Sequence, residues 1–312
     1  MTGASPLRGR TAVVTGAARG VGEQVALALA RRGARVALVG HEEAGLARVA
    51  ARCRAAGGTA HPWPADVTDE ERMRAVAREV GRRLGPASVV VANAGIAAGG
   101  PFDRTDPATW RRIVEVNLLG SAVTARVFLP ALRSTRGHYL QVSSLAAIAP
   151  SPMMTAYGAS KAGVEAFAYA LRAEVAHLGV TVGVARLAWT DTDMIRAAEE
   201  HPVMRELRHH MAWPASRVRS LDGVGERLAR GIERRRPAVN LPPWLRAVRA
   251  AAPLLPGLVA RHARHVLPRL DDADLAPTGL LGPGGAADRA RTELEPRTGL
   301  ESHSGPEPRT GA

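Results

Sequence analysis

Apolar positions along the chain switch repeatedly between two spacings. Residues 10–15, RTAVVT, form a short β-branched run that stops at Gly16. The stretch 21–32 then sets Val21, Val25, Ala28 and Leu29 on one face at helical spacing. Gly33 ends that helix, and RVALV at 35–39 starts the next strand. The same alternation predicts helices over 42–56, 69–84, 107–133, 155–178 and 222–235. Between them it predicts strands near 59–63, 88–93, 138–143, 180–186 and 237–241, with a loop or short helices from 187 to about 221. The VALV and VVVA runs do not alternate with polar residues, as expected of strands buried on both faces. Strands separated by helices of this length predict a doubly wound α/β domain over 1–240: a parallel sheet of about seven strands with helices on both faces. The pattern fails after that. Residues 241–270 are apolar and arginine-rich with five prolines, which predicts short broken helices. Residues 271–312 are rich in Gly, Pro, Asp and Thr and repeat EPRTG, which predicts a flexible tail.

Charge changes this picture in one place and leaves it alone in another. The chain of 312 residues carries a net charge of +13, concentrated as +10 over 201–270, against +7 over 1–200 and −4 over 271–312. Aromatic residues are only 4%, and neither a zinc-finger nor an RNA-recognition motif occurs, so the surplus is not read as a nucleic-acid site. The 241–270 extension holds five arginines and no acidic residue. That composition suits peripheral contact with an anionic membrane surface, or packing over a substrate loop or a partner subunit. One cysteine, Cys53, excludes an internal disulfide and suits a reducing, cytoplasmic setting. No apolar run approaches the ~18 residues of a membrane span, MTGASPLRGR has no signal-like apolar core, and no metal-ligand cluster is expected. Of 42 basic residues, a single one, Lys161, is lysine.

Chemistry concentrates at strand ends. Thr15, Gly16, Arg19, Gly20, Val21 and Gly22 join the first strand to the first helix. There glycines let backbone approach a pyrophosphate, and the helix start offers free N–H groups. The second strand ends Val39-Gly40-His41-Glu42, so Gly40 stands where an NAD site usually holds a carboxylate. Arg19 is placed to fork onto a 2′-phosphate, which favours NADP, while Glu42 reaching the ribose keeps NAD open. Asp66-Val67, Asn93-Ala94-Gly95, Asn117 and Ser144 follow in order, with Tyr157 and Lys161 one helical turn apart. Reducing a carbonyl leaves an alkoxide that needs a proton, and a nearby ammonium is expected to lower a tyrosine pKa toward working range.

These spaced motifs over about residues 8–240 resemble the short-chain dehydrogenase/reductases, whose domain is a Rossmann-type fold. The resemblance implies an NAD(P)-dependent enzyme that interconverts a carbonyl and a secondary alcohol, and a homodimer or homotetramer. It also implies that Tyr157 is the acid/base, that Lys161 holds the nicotinamide ribose and that Ser144 orients the substrate oxygen. Asn117 would serve a water-linked proton path, Asp66 and Val67 would hold the adenine, and Asn93, Ala94 and Gly95 would support sheet and cofactor. Thr192 stands at the position that meets the nicotinamide amide, but Leu187-Ala188 replace the usual Pro-Gly before it. Leu145, Met154, Trp189 and Met194, with Ile96, Met153, Ile195, Met204, Leu207, Met211 and Trp213, are expected to form an apolar, lipid- or steroid-like substrate pocket. The rival readings are a non-catalytic NADP-binding sensor and a membrane-surface protein on the same fold.

Overall fold

The computed structural model describes residues 5–211, 213–270 and 275–294. The strands are β1 (Thr11–Thr15), β2 (Arg35–Gly40), β3 (Thr59–Pro64), β4 (Ala87–Ala92), β5 (Ala98–Gly99), β6 (His138–Ser144), β7 (Thr181–Leu187), β8 (Ala238–Leu241) and β9 (Gly279–Leu280). The helices are α1 (Gly20–Arg31), α2 (Glu43–Ala55), α3 (Glu70–Leu84), α4 (Pro107–Val114), α5 (Gly120–Thr135) and α6 (Thr155–Val175). They continue with α7 (Asp193–Glu200), α8 (Pro202–His209), α9 (Val224–Glu233), α10 (Leu245–Ala250), α11 (Leu255–Val266) and α12 (Gly282–Leu294).

Seven strands pair in parallel in the order β3-β2-β1-β4-β6-β7-β8. Every residue of β1 and β4 is buried, because helices cover both faces. One face packs Leu29 of α1, Leu46 and Cys53 of α2, and Leu228 and Ile232 of α9. The other packs Met73 and Val80 of α3, Ile113 of α4, Phe128 and Leu132 of α5, and Leu171 of α6. Each such side chain contributes on the order of 1.5–3 kcal/mol by leaving water. The strand order reverses between β1 and β4, and a crevice opens there at the carboxyl ends of the strands.

Two elements depart from the sequence reading. The expected helix over 107–133 is interrupted at Glu115–Leu119 by a π-helical turn that joins α4 to α5. This turn lets Asn117 bond the backbone of Ile96 across the chain, while Gly120 passes close against Val67. By length and composition Pro107–Thr135 is apolar enough to cross a membrane. Its buried Ile113, Phe128 and Leu132 nevertheless lie against the sheet, as in the core helix of a water-facing domain.

The larger correction concerns residues 275–294 of the flexible tail expected over 271–312. Residues 279–280 form β9, antiparallel to β5, and 282–294 form α12. Leu281 is buried and Asp288 is buried in ion pairs, which hold this otherwise Gly- and Pro-rich segment against the domain. The remainder of that stretch, 271–274 and 295–312 with both EPRTG copies, lies outside the described residues. The 241–270 extension consists of the end of β8, α10 and α11, with prolines at the helix starts. Leu254 and Leu258 there are 68% and 61% exposed.

Candidate active site

The crevice begins where β1 meets β4. Thr15 Oγ1 accepts from the backbone N–H groups of Asn93 (3.0 Å) and Ala94 (3.1 Å). The Asn93 side-chain amide donates in turn to the Thr15 and Gly16 carbonyls at 3.0 and 3.2 Å. The two strand ends are thereby tied together beneath the glycine turn. Gly16 has φ +61°, and a Cβ there would meet Ala94 Cα at 2.8 Å. A Cβ on Gly22 would strike the Gly16 carbonyl oxygen. Larger residues are therefore excluded by geometry at both positions, and α1 begins at the cleft, lined by Gly20 and Val21, where first-turn N–H groups have no intrahelical partner.

Gly16, Arg19, Gly20, Val21, Asp66, Val67, Asn93, Ala94, Gly95, Ser144, Tyr157, Lys161 and Thr192 all line one cavity of about 260 Å³. Thr15, Gly22 and Asn117 stand behind its wall. Asn117 is 1% exposed; its Oδ1 accepts from Ile96 N (2.8 Å) and its Nδ2 donates to Ile96 O (3.0 Å) and Ser160 Oγ (2.9 Å). Its side chain thus braces the loop after β4. A Cβ on Gly95 would meet Asn117 Oδ1 at 3.1 Å and Lys161 Nζ at 3.3 Å, so these three groups converge.

Lys161 Nζ sits 5.5 Å from the centroid of the Tyr157 ring. Burial holds the Lys161 ammonium down to about 8. The expected lowering of Tyr157 is not what the geometry produces: burial pushes its hydroxyl above the ordinary tyrosine value, opposed by a hydrogen bond with Ser144. Desolvation of the phenolate outweighs the Ser144 contact.

The cofactor-discriminating end is crowded with charge. Arg19 Nε donates to Glu42 Oε1 at 3.0 Å, its Nη2 pairs with Glu42 Oε2, and its Nη1 donates to Asp193 at 3.2 Å. Arg19 and Glu42, read from sequence as competing signals, therefore neutralise each other. Burial works to raise the Asp66 pKa, but the Thr68 N–H and Arg112 overcome it and hold the carboxyl below its ordinary value. His41 also lines this end; burial lowers its pKa, and its Nε2 is buried with no hydrogen-bond partner among the described residues. Arg112, Asp193, Leu281, Gly284, Gly285 and Asp288 were not legible as site residues. Nothing in their spacing marks them, although His41 was visible at the tip of the second strand.

The expected substrate residues divide. Leu145, Met154, Trp189 and Met194 line the cavity together with Ile96, Ile195 and Met211. Met153, Met204 and Leu207 pack in the adjoining apolar cluster, and Trp213 is 82% exposed. Leu187-Ala188, in place of Pro-Gly, leave the strand pairing intact: Leu187 continues the β7–β8 register opposite Leu241 and Ala188 N donates to the Leu241 carbonyl.

Comparison with known proteins decides the family. Residues 10–202 match the family described as short chain dehydrogenase. The chain belongs to the short-chain dehydrogenase family. It is thus a member of a family of NAD(P)-dependent oxidoreductases. It is 33% identical over 217 residues to a short chain dehydrogenase of Pseudocercospora fijiensis, covering 67% of this chain and 70% of that protein. It is 38% identical over 190 residues to EphD of Mycobacterium tuberculosis, covering 60% of this chain but spanning only 32% of that longer protein. A solved metagenomic short-chain oxidoreductase in complex with NADP is 35% identical, with a TM-score of 0.56 over 58% of this chain and 83% of that one.

The cleft fits such a dinucleotide on its own terms. The cradle at Gly16 and Gly22 accepts no side chain, and the orphaned His41 nitrogen lies where a ribose hydroxyl or phosphate would supply a partner.

Proposed function

We propose that the protein interconverts an apolar ketone and its secondary alcohol, using NADP(H) in preference to NAD(H). The observation that carries this reading is the convergence of Ser144, Tyr157 and Lys161 with the glycine turn on one cavity whose remaining wall includes Leu145, Met154, Trp189 and Met194. The bound dinucleotide supplies the hydride in reduction and accepts it in oxidation. In reduction Tyr157 donates its hydroxyl proton to the carbonyl oxygen, and in oxidation it takes the proton back from the alcohol. Ser144 orients that oxygen through its hydroxyl, and Lys161 stabilises the tyrosinate left behind. Asn117 holds the Ile96 backbone and so the wall opposite Lys161. Arg19, Thr192 and the first turn of α1 would hold the phosphates and the amide of the dinucleotide.

NADP preference rests on the tip of β2. Arg19 donates to each Glu42 oxygen, which offsets the carboxylate's charge and keeps a guanidinium at the place where a 2′-phosphate would need one. Delivery of an apolar substrate from an anionic lipid surface accords with Leu254 and Leu258 exposed on an extension without acidic residues. Co-sedimentation with anionic but not neutral vesicles checks that part.

The deciding experiment is Tyr157→Phe assayed on a panel of apolar ketones and alcohols. Turnover is expected to drop by about 10²–10⁴-fold while NADPH binding, followed by fluorescence, stays. Retained turnover sinks the assignment. Wild-type protein that binds NADPH but turns over no carbonyl points instead to a sensor.

A further inference from the structure

The C-terminal segment crosses the cleft from one end to the other. Its entry is tied to the strand after the β4 loop: Thr278 N donates to Gly99 O and Leu281 N to Ala97 O, both at 2.8 Å, and Gly99 N donates to Thr278 Oγ1 at 2.9 Å. Leu281, Gly284 and Gly285 then line the cavity beside Met194 of α7. Asp288, 1% exposed, reaches the far end beside His41 and Asp66.

At that end four side chains form a chain of ion pairs. Arg112 donates to Asp288 through Nε (3.0 Å) and Nη2 (2.7 Å), and Nη2 also reaches Asp66 Oδ2 at 2.7 Å. Arg291, one turn beyond Asp288, pairs with the same Asp66 oxygen. Asp66 Oδ1 meanwhile accepts from Thr68 N (2.8 Å) and Thr68 Oγ1 (2.9 Å). A carboxylate offers about four acceptor sites, so Asp66 is saturated by its own chain.

We propose that residues 275–294 form a strap over the cofactor cleft, clasped at the adenosine end by Asp288–Arg112–Asp66–Arg291, and that dinucleotide enters and leaves by opening this clasp. The inference rests on the nicotinamide-dinucleotide reading of the cleft. One observation supports opening over a fixed wall: Asp66 can meet an adenine amine only by releasing a donor it already holds. In this arrangement Arg112, Asp288 and Arg291 are positioning residues, and release of the spent cofactor waits on α12.

The test is stopped-flow NADPH fluorescence on the full chain, comparing wild type with Asp288→Asn and, separately, Arg291→Ala. Both variants weaken the clasp and leave β9 and Leu281 in place. Association and dissociation rates are each expected to rise about tenfold, with a smaller change in Kd, because the closed state loses charge-assisted bonds that the open state never had. Hydrogen exchange of 282–294 is expected to quicken in the same variants. Unchanged rates in both variants overturn the strap. So does faster dissociation with association unchanged, which is the behaviour of a fixed wall. If wild type itself binds neither NADPH nor NADH, the dinucleotide reading fails first; wild-type binding with variant rates unaltered removes the strap alone.

Discussion

Lys161 and Glu165 stand one helical turn apart on α6, 5% and 4% exposed, yet their surroundings treat them in opposite ways. Glu165 is fully engaged. Its Oε1 accepts from Ser143 (3.0 Å) and Arg186 Nε (2.8 Å), its Oε2 from Arg186 Nη2 (2.6 Å) and Tyr169 (3.2 Å), and Arg186 continues to Asn240 at 3.3 Å. Lys161 pairs with no carboxylate among the described residues; its ammonium lies over the Tyr157 ring. A charge whose bonds are all made within the protein joins elements together, here β6, β7 and α6. A buried charge with bonding capacity to spare costs stability and is kept for what it does to a reacting group.

The sharpest way to break this contrast is to remove each charge in turn. Lys161→Met is expected to reduce turnover by roughly 10²–10⁴-fold, measured as kcat with NADPH, while the protein remains folded. Glu165→Ala should do the reverse. It strands the Arg186 guanidinium in the core and is expected to cost about 3–5 kcal/mol in urea unfolding, with kcat of the folded fraction far less affected than in Lys161→Met. Equal effects on both quantities in the two variants would erase the distinction.

A smaller effect follows from the sign of the Lys161 shift. Burial holds the folded-state ammonium down to about 8, below the ordinary lysine value of 10.5. Between those values the unfolded chain binds more protons, so stability rises as pH rises through this window. At pH 7 the buried ammonium costs roughly 3 kcal/mol. Lys161→Met should therefore be more stable than wild type at pH 7, by up to that amount. The gap should close toward pH 10.5, as read from unfolding midpoints at the two pH values. A constant gap would mean that Lys161 is solvated in solution.

The smallest change concerns the charged end of the cleft. Glu42→Gln leaves Arg19 without its fork partner, so the ratio of kcat/KM for NADPH over NADH should rise several-fold, about 1 kcal/mol of transition-state binding. A fall in that ratio would show that Glu42, not Arg19, governs the choice.

Much of this molecule was legible because the signals are local. The strand-to-helix alternation places the seven strands of the parallel sheet, and the Gly16–Gly22 turn and the Tyr157–Lys161 spacing each depend on atoms within a few residues. In a chain with 42 basic residues, one lysine at that helical spacing is a conspicuous survivor, since arginine's planar fork does not reproduce a compact ammonium. The π turn at Glu115–Leu119 left no such trace, because it answers to the backbone of Ile96, 21 residues away. Arg19 and Glu42 were seen, but not as partners: whether two side chains at the edge of a cleft meet ligand or each other depends on the fold of both loops. The direction of the Tyr157 shift was misjudged for the same reason. Helical spacing brings an ammonium near a ring, but burial of the hydroxyl is set by everything packed around it.

The tail marks the boundary most clearly. Gly, Pro, Asp and Thr carry no apolar period, so residues 271–312 read as unstructured, and the sequence alone determines no more than that weak local preference. What orders 275–294 is an edge pairing to β5 and ion pairs such as Arg112–Asp288, which join residues 176 apart. Contacts of that range exist only once the sheet and α4 are in place. The sequence by itself therefore determined the sheet, the glycine turn and the tyrosine–lysine pair, whose physics is contained within single turns and strands. Tertiary structure alone decided which charges cancel and what covers the cleft, because those energies arise between segments that the chain brings together only by folding.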